Sequence, residues 1–147
     1  MDLLSLVRDC RDTLTCKALI DHIPYSAFIG MECEQFGEEY IFRLPKNENN
    51  LGNPTLPAIH GGVLGGFLEN AAIIHLLLKL DTPRLPKTID FSIDYLRAGH
   101  HKETYASCEI TRQGRRAANV SMLAWQTKKS EPIAVARAHF LMEQIIE

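Results

Sequence analysis

The feature that most constrains the fold is residues 58–80, AIHGGVLGGFLENAAIIHLLLKL, where a long apolar run follows a His-Gly-Gly opening. From residue 61 to residue 80 the apolar side chains would cover nearly the whole circumference of a helix, so this helix must be buried on most sides. Four glycines in its first turns would let another group approach the backbone closely. Glu69 interrupts the run, and a carboxylate in an apolar wall is costly unless it is paired or functional.

The rest of the chain predicts a sheet around this helix. Apolar residues at steps of three and four predict an amphipathic helix over 3–21, with Pro24 just beyond its end. Residues 46–57, rich in Asn, Gly and Pro, predict a loop. Alternating patterns and turns, including a turn at Gly37, predict strands at 28–36, 39–45, 87–97, 103–112, 115–127 and 131–142. Short turns between strands imply antiparallel pairing, so we expect one α+β domain over residues 1–147.

Charge and cysteine content exclude several classes of protein. A formal net charge of −2 argues against a nucleic-acid partner. Charges throughout the first 14 residues leave no signal-peptide core, and polar groups such as Glu69 and His75 make a membrane span of the apolar helix unfavourable. The cysteines, which form no C-x-x-C pair, predict free thiols in a reducing cytoplasm and neither disulfides nor a metal site: Cys10, Cys16, Cys33 and Cys108.

Three segments carry a resemblance to a known family. HGGVLGGFLENAA resembles the His-Gly-Gly-x₆-(Asp/Glu)-x-Ala signature of hotdog-fold thioesterases of the phenylacetic-acid-pathway (PaaI-like) group. TIDFSIDYLRAG is similar to the strand that follows the helix in that family, and RRAANVSMLAWQ with IAVARAHFLM to its last two strands. The resemblance covers residues 28–142, the hotdog core, and leaves residues 1–25 as an extra N-terminal helix.

The resemblance implies a fold, an assembly and a reaction. The fold is a long central helix wrapped by a curved antiparallel sheet. The assembly is a homodimer with one continuous sheet, often paired again into a homotetramer, with active sites at the subunit interface. The reaction is hydrolysis of an acyl-CoA thioester without a metal, a cofactor or a serine or cysteine nucleophile, so that coenzyme A enters only as part of the substrate.

By the same resemblance Glu69 is the catalytic carboxylate, acting as general base on water or attacking the thioester carbonyl directly. Gly61 would donate its N–H to the oxyanion, since amides in the first turn of a helix lack partners and lie at its positive end. His60 would orient the carbonyl or complete this oxyanion hole. The structural alternatives are a capped carboxylate at Glu69, glycines that only permit close packing, and a histidine in the helix cap.

The helix geometry limits how these residues can act together. His60 and Glu69 are nine residues apart, which is about 13 Å and two and a half turns along a helix, so they would lie on opposite sides. They cannot form a dyad within one chain. A site that uses both must therefore take one of them from a second subunit.

Further candidates are less specific. Asn53 corresponds to a polar residue that positions water or the carbonyl in the family, and Thr88 to a Ser or Thr that holds the attacking water. Turn chemistry and strand propensity are the alternative explanations for these two residues. The substrate and CoA-binding candidates are a glycine that allows close approach and four arginines suited to phosphates: Gly62, Arg97, Arg112, Arg115 and Arg116.

Two other functions remain open at this point. The hotdog fold also carries acyl-CoA or acyl-carrier hydratases and dehydratases, although the chain has no hydratase-type Asp-x₄-His spacing. A non-catalytic acyl-CoA-binding module would be expected to have lost the carboxylate that Glu69 supplies.

Overall fold

Three short helices precede a β-sheet with one long helix against it, in a computed structural model that describes residues 2–13, 15–81 and 83–145. The helices are α1 (Leu3–Thr13), α2 (Lys17–His22), α3 (Pro24–Ile29) and α4 (Gly61–Lys79). The strands are β1 (Glu32–Phe36), β2 (Glu39–Leu44), β3 (Leu51–Asn53), β4 (Ala58–Ile59), β5 (Arg84–Tyr95), β6 (Thr104–Gln113), β7 (Ala117–Trp125) and β8 (Ala134–Gln144).

Six strands form one antiparallel sheet in the order β1-β2-β6-β7-β8-β5. Helix α4 packs against β2, β5, β6, β7 and β8, so the sheet must bend around it. β5 pairs only with β8 and therefore leaves its other edge open at the end of the sheet. The predicted α+β hotdog architecture is confirmed.

Helix α4 is the centre of the core. Between Leu64 and Leu78 every residue is buried except Gly65, Gly66, Glu69 and Ile73. These four positions are spaced by one, three and four residues and so share one side of the helix. By length and composition α4 could cross a membrane, but 61% of its apolar window is buried inside the fold, as in the core helix of a soluble protein.

The N-terminal region differs from the single helix predicted over 3–21. α1 ends at Thr13, and two further helices follow before β1 begins at Glu32. Pro24 occupies the first turn of α3, where its fixed φ and missing N–H are favourable, so it starts a helix here. Gly30, with φ 78°, ends that helix, and the predicted strand therefore begins four residues later than residue 28. The predicted loop over 46–57 also contains the short strand β3.

The expectation of four free thiols is wrong for two of them, because Cys10 and Cys16 form a disulfide. In a continuous helix a separation of six residues would place these side chains on different faces. The break after α1 brings their Cα atoms to 4.6 Å instead. Cys33 and Cys108 are free, and burial raises the pKa of the Cys33 thiol to about 12.

The C-terminal end of α4 is held by an arginine from α1. Arg11 donates hydrogen bonds to the carbonyl oxygens of Leu77 (3.0 Å), Leu78 (2.9 Å) and Leu80. The last carbonyls of a helix have no intrahelical partner, and a cation is favourable at this negative end. The N-terminal helices are therefore attached directly to the end of the core helix.

We expect the stability of the fold to fall as the pH drops from about 6.5 to about 4, because of His75. This side chain is 7% exposed and its Nδ1 has no partner among the described residues. Burial, followed by the nearby charge of Lys79, lowers the pKa of His75 from 6.5 to about 4. Between these values the unfolded chain binds a proton that the folded chain does not, which costs roughly 3 kcal/mol across the range.

Urea denaturation at several pH values measures this effect as the difference between the wild type and His75→Leu. The free energy of unfolding of the variant should lose this part of its pH dependence. An unchanged slope between pH 6.5 and 4 in the variant would show that His75 does not titrate as described.

Candidate active site

The uncovered side of α4 forms the floor of a groove of about 560 Å³. Tyr25 of α3 makes one wall, and side chains of β5 make the other. The groove is lined by Tyr25, Gly62, Gly65, Gly66, Glu69, Asn70, Phe91, Ile93 and Tyr95. Most of this lining is aromatic, aliphatic or glycine backbone, and Glu69 is the one carboxylate among the lining residues that the structure describes.

Glycines allow the two walls to come close to the helix. A Cβ atom at Gly66 would overlap the ring of Tyr25, and one at Gly65 would lie 3.7 Å from the ring of Phe91. The small residues in the first turns of α4 therefore set the width of the groove. This use of glycine agrees with the close approach that the sequence predicted.

Glu69 lies on the uncovered side of α4 and is half-buried. Within the described part of the chain its carboxylate makes neither a hydrogen bond nor a salt bridge. The neighbouring Asn70 is buried and donates from Nδ2 to the Gly66 carbonyl oxygen at 2.7 Å. The amide thus has a structural partner, whereas the carboxylate faces the groove without one.

The first turn of α4 contains a free amide. His60 is the N-cap, and its Nδ1 accepts a hydrogen bond from the Gly62 N–H at 2.9 Å. Its carbonyl oxygen accepts from the N–H groups of Val63 and Leu64. The Gly61 N–H, by contrast, has no hydrogen-bond partner among residues 2–13, 15–81 and 83–145. This donor lies at the positive end of the helix, where it can stabilise a negative charge.

Tyr95, the last residue of β5, is bonded to the same turn. Its hydroxyl donates to the carbonyl oxygen of Gly61 at 2.6 Å. Alternation along β5 places Tyr95 on the same side of the strand as Phe91 and Ile93, and all three line the groove. The hydrogen bond itself joins residues 34 positions apart, and no local pattern indicates it.

The structure brings some of the predicted site residues together and leaves others apart. Gly62 and Glu69 line the groove, and Gly61 is bonded to a third lining residue, Tyr95. His60 does not line the groove, in keeping with its expected place on the other side of the helix from Glu69. Its ring instead caps the helix, which is the structural alternative that the sequence left open.

The remaining candidates lie outside the groove of a single chain. The Asn53 side chain accepts hydrogen bonds from the N–H groups of Thr55 (2.9 Å) and Leu56 (3.3 Å), which is turn chemistry. Thr88 is exposed on β5, opposite Phe140. The arginines are all exposed, in the loop after β5 or near the turn between β6 and β7: Arg97, Arg112, Arg115 and Arg116.

Sequence analysis missed Tyr25 as a groove residue. It assigned residues 22–27 to no element, so nothing placed Tyr25 near α4. Pro24 could have given the signal, because proline is favoured in the first turn of a helix. Among the described residues no three His, Cys, Asp or Glu side chains are close enough together to hold a metal ion.

Comparisons with known proteins agree with this fold. The family model of the Thioesterase superfamily matches residues 56–133, which is more than half of the chain. The medium/long-chain acyl-CoA thioesterase YigI of Escherichia coli (strain K12) is 28% identical, over 88% of this chain and 92% of that protein. This chain belongs to the thioesterase superfamily. It is a thioester hydrolase with the hotdog fold.

Two crystal structures extend the comparison across almost the whole chain. A protein of Chromobacterium violaceum is 40% identical with a TM-score of 0.77, over 97% of this chain and 99% of that one. The phenylacetic acid degradation-related protein of Ralstonia eutropha JMP134 shares the fold with a TM-score of 0.73 at 18% identity, over 95% and 99% of the two chains. The resemblance to hotdog-fold thioesterases is therefore confirmed, and the protein of Ralstonia eutropha shows that the phenylacetic-acid group shares this fold.

We expect His60→Ala to lower the free energy of unfolding by about 1 kcal/mol, because the Gly62 N–H loses its side-chain acceptor. His60→Asn is the matched control, since asparagine is a strong N-cap and can accept the same hydrogen bond. Urea denaturation of the three proteins measures the difference. Equal losses in the two variants would show that the ring stabilises the fold by packing and not by capping.

Proposed function

We propose that the protein hydrolyses acyl-CoA thioesters to the free acid and coenzyme A, with Glu69 as the catalytic carboxylate and the Gly61 N–H as the oxyanion donor. The observation that carries this proposal is the pairing of two unsatisfied groups on one helix. Among the residues that the structure describes, Glu69 has no partner in an otherwise uncharged groove, and the Gly61 amide has none at the positive helix end. Acyl transfer needs both kinds of group.

In the general-base route the Glu69 carboxylate takes a proton from water, and the water oxygen attacks the thioester carbonyl carbon. The Gly61 N–H stabilises the oxyanion that forms. The C–S bond then breaks, and the coenzyme A thiolate receives the proton from Glu69 as it leaves. In the nucleophilic route the carboxylate itself attacks the carbonyl carbon, the C–S bond breaks and coenzyme A leaves as the thiolate. Water then hydrolyses the resulting anhydride, which releases the free acid, regenerates Glu69 and supplies the proton of the thiol. Neither route needs a metal or a cofactor, and we propose that the enzyme uses none.

A homodimer would complete this site. The free amide of Gly61 and the carboxylate of Glu69 are eight residues apart on one helix, about 12 Å, which is too far for both to reach the same carbonyl. We propose that two chains pair along the open edge of β5. This edge carries two side chains more than half exposed, Ile89 (58%) and Tyr95 (53%). Each site would then combine Glu69 of one chain with Gly61 of the other, and two such dimers could form a tetramer.

The groove also suggests which part of the substrate binds where. Its walls, formed by Tyr25, Phe91 and Ile93, are suited to an acyl chain and not to phosphates. By analogy with YigI we propose medium or long acyl chains. The phosphates of coenzyme A would bind outside the groove, at arginines that make no salt bridge within the described residues: Arg97, Arg112, Arg115 and Arg116.

We also propose roles in this dimeric site for the remaining candidate residues. His60 would orient the carbonyl through Nε2, because its Nδ1 already accepts a hydrogen bond from the Gly62 N–H. Asn53 and Thr88 would position water or the thioester carbonyl in the dimer.

We further propose a cytoplasmic enzyme whose partners are its substrate and its own copies, and neither nucleic acid nor membrane. The Cys10–Cys16 disulfide does not support that location, since disulfides are rare in reducing compartments.

We expect Glu69→Gln to lower kcat by at least about 100-fold, because the amide can neither accept a proton nor attack the carbonyl. Thiol release from short, medium, long and aryl acyl-CoAs measures the rate. Glu109→Gln makes the same chemical change at an exposed position on β6, outside the groove, and should leave the rate unchanged.

A Glu69→Gln variant that retains the wild-type rate would refute the catalytic role. Wild-type protein that releases no thiol from any member of the panel would refute the proposed reaction. Hydration of an enoyl-CoA would then identify a hydratase, and binding of acyl-CoA without turnover would identify a binding module.

We expect Gly61→Pro to lower kcat by about 100-fold, because proline removes the N–H that the oxyanion requires. Proline suits the first position of a helix, and this amide makes no hydrogen bond that the fold would lose. Gly61→Ala is the control: it adds a Cβ atom at the same place, 3.2 Å from the Tyr95 hydroxyl, but keeps the N–H. Equal rates for the proline and alanine variants would refute the oxyanion role.

The same variants test whether the site is shared between chains. If each site takes Glu69 from one chain and Gly61 from the other, a mixed dimer of Glu69→Gln and Gly61→Pro chains contains one intact site. Refolding the two inactive variants together should therefore restore activity. A mixture that forms dimers but stays inactive would place both groups of each site in one chain.

A further inference from the structure

The peptide between Gly61 and Gly62 is held at both of its ends by side chains. Its carbonyl oxygen accepts a hydrogen bond from the Tyr95 hydroxyl at 2.6 Å. Its N–H donates to Nδ1 of His60 at 2.9 Å. One of these side chains precedes the helix, whereas the other comes from β5, the edge strand of the sheet.

These two hydrogen bonds act as a clamp on the peptide. The two consecutive glycines explain why a clamp is needed. Glycine is a poor helix former because its backbone has more conformational freedom to lose, and the first turn of a helix has the fewest backbone hydrogen bonds. The clamp in turn leaves no room for a side chain at Gly62 and only limited room at Gly61. A Cβ atom at Gly61 would lie 3.2 Å from the Tyr95 hydroxyl, and one at Gly62 would lie 2.9 Å from the His60 ring.

The direction of the Gly61 N–H depends on the same contacts. That amide belongs to the preceding peptide, whose carbonyl oxygen, from His60, accepts from Val63 and Leu64. The two peptides meet at the Cα atom of Gly61 and turn relative to each other about its two backbone bonds. Holding the Gly61 carbonyl through Tyr95 therefore also restricts the plane of the donor. Without the Tyr95 bond, only the hydrogen bonds to the His60 carbonyl would hold the plane of the donor.

We propose that Tyr95 is a positioning residue for the oxyanion donor: through its hydrogen bond to the Gly61 carbonyl it fixes the direction of the Gly61 N–H. This inference rests on the proposed function of Gly61. It also links the donor to the open edge of β5, because Tyr95 is the last residue of that strand. Pairing of two chains along β5 would therefore order the oxyanion hole at the same time as it completes the site.

Tyr95→Phe tests the proposal with little change in the groove, because it keeps the aromatic wall and removes only the hydroxyl. We expect kcat to fall about tenfold while KM for the acyl-CoA changes by less than twofold. Sedimentation and thermal unfolding should match those of the wild type. Tyr105→Phe is the control: its hydroxyl donates to Glu103, neither residue lines the groove, and loss of this hydroxyl should not affect the rate.

The double variant Gly61→Pro/Tyr95→Phe separates positioning from other roles. If Tyr95 acts through the Gly61 N–H, its hydroxyl has no effect once that N–H is absent, so the double variant should have the rate of Gly61→Pro alone. Multiplied losses in the double variant would overturn the proposal, and so would an unchanged kcat in Tyr95→Phe.

A measurement without substrate keeps this inference separate from the proposed reaction. The Gly62 amide is in the clamped peptide, and its hydrogen exchange can be followed by NMR in wild-type protein and in Tyr95→Phe. We expect exchange at Gly62 to be about tenfold faster in the variant, with exchange in the second half of α4 unchanged. Unchanged exchange at Gly62 would overturn the positioning role even if Glu69 and Gly61 prove to be catalytic.

Discussion

The structure depends on the burial of α4 against the sheet. Removing an almost entirely apolar helix from water is favourable in proportion to its area, and five strands supply the surface that covers it. Coverage is complete over Leu64–Leu78 except along one side. Glu69 lies on that side, where a carboxylate avoids the cost of full burial and still faces an apolar groove. The placement of one charge in an apolar helix is therefore a consequence of how the sheet wraps it.

The first turn of α4 combines two opposing requirements. Glycines at its start weaken the helix but leave room for the groove walls and an unobstructed amide. Side chains from outside the helix compensate: His60 caps the Gly62 N–H, and Tyr95 holds the Gly61 carbonyl. The free amide is thus one donor in a turn whose other groups are satisfied. A donor fixed before the substrate binds needs little reorganisation during the reaction.

The sequence predicted the helices and strands that follow from patterns among neighbouring residues. The apolar run predicted the central helix, and alternation in residues 87–97 predicted the strand that carries Tyr95. Contacts between distant residues left no such pattern, which is why the Tyr95–Gly61 bond and the position of Tyr25 emerged only from the fold. The disulfide between Cys10 and Cys16 was missed because the break after α1 was missed. The proposed sharing of the site between chains follows from helix geometry, and its test needs the dimer.

The hydrogen bonds of Arg11 limit how far the chain can be shortened from its N-terminus. The family match covers residues 56–133, yet the carbonyls that end α4 are bonded to a side chain far upstream of that range. A chain trimmed to the matched residues would leave these carbonyls without the Arg11 hydrogen bonds and would also lose β1, β2, β3 and all of β8. The span of the family model and the smallest stable unit are therefore different in this enzyme.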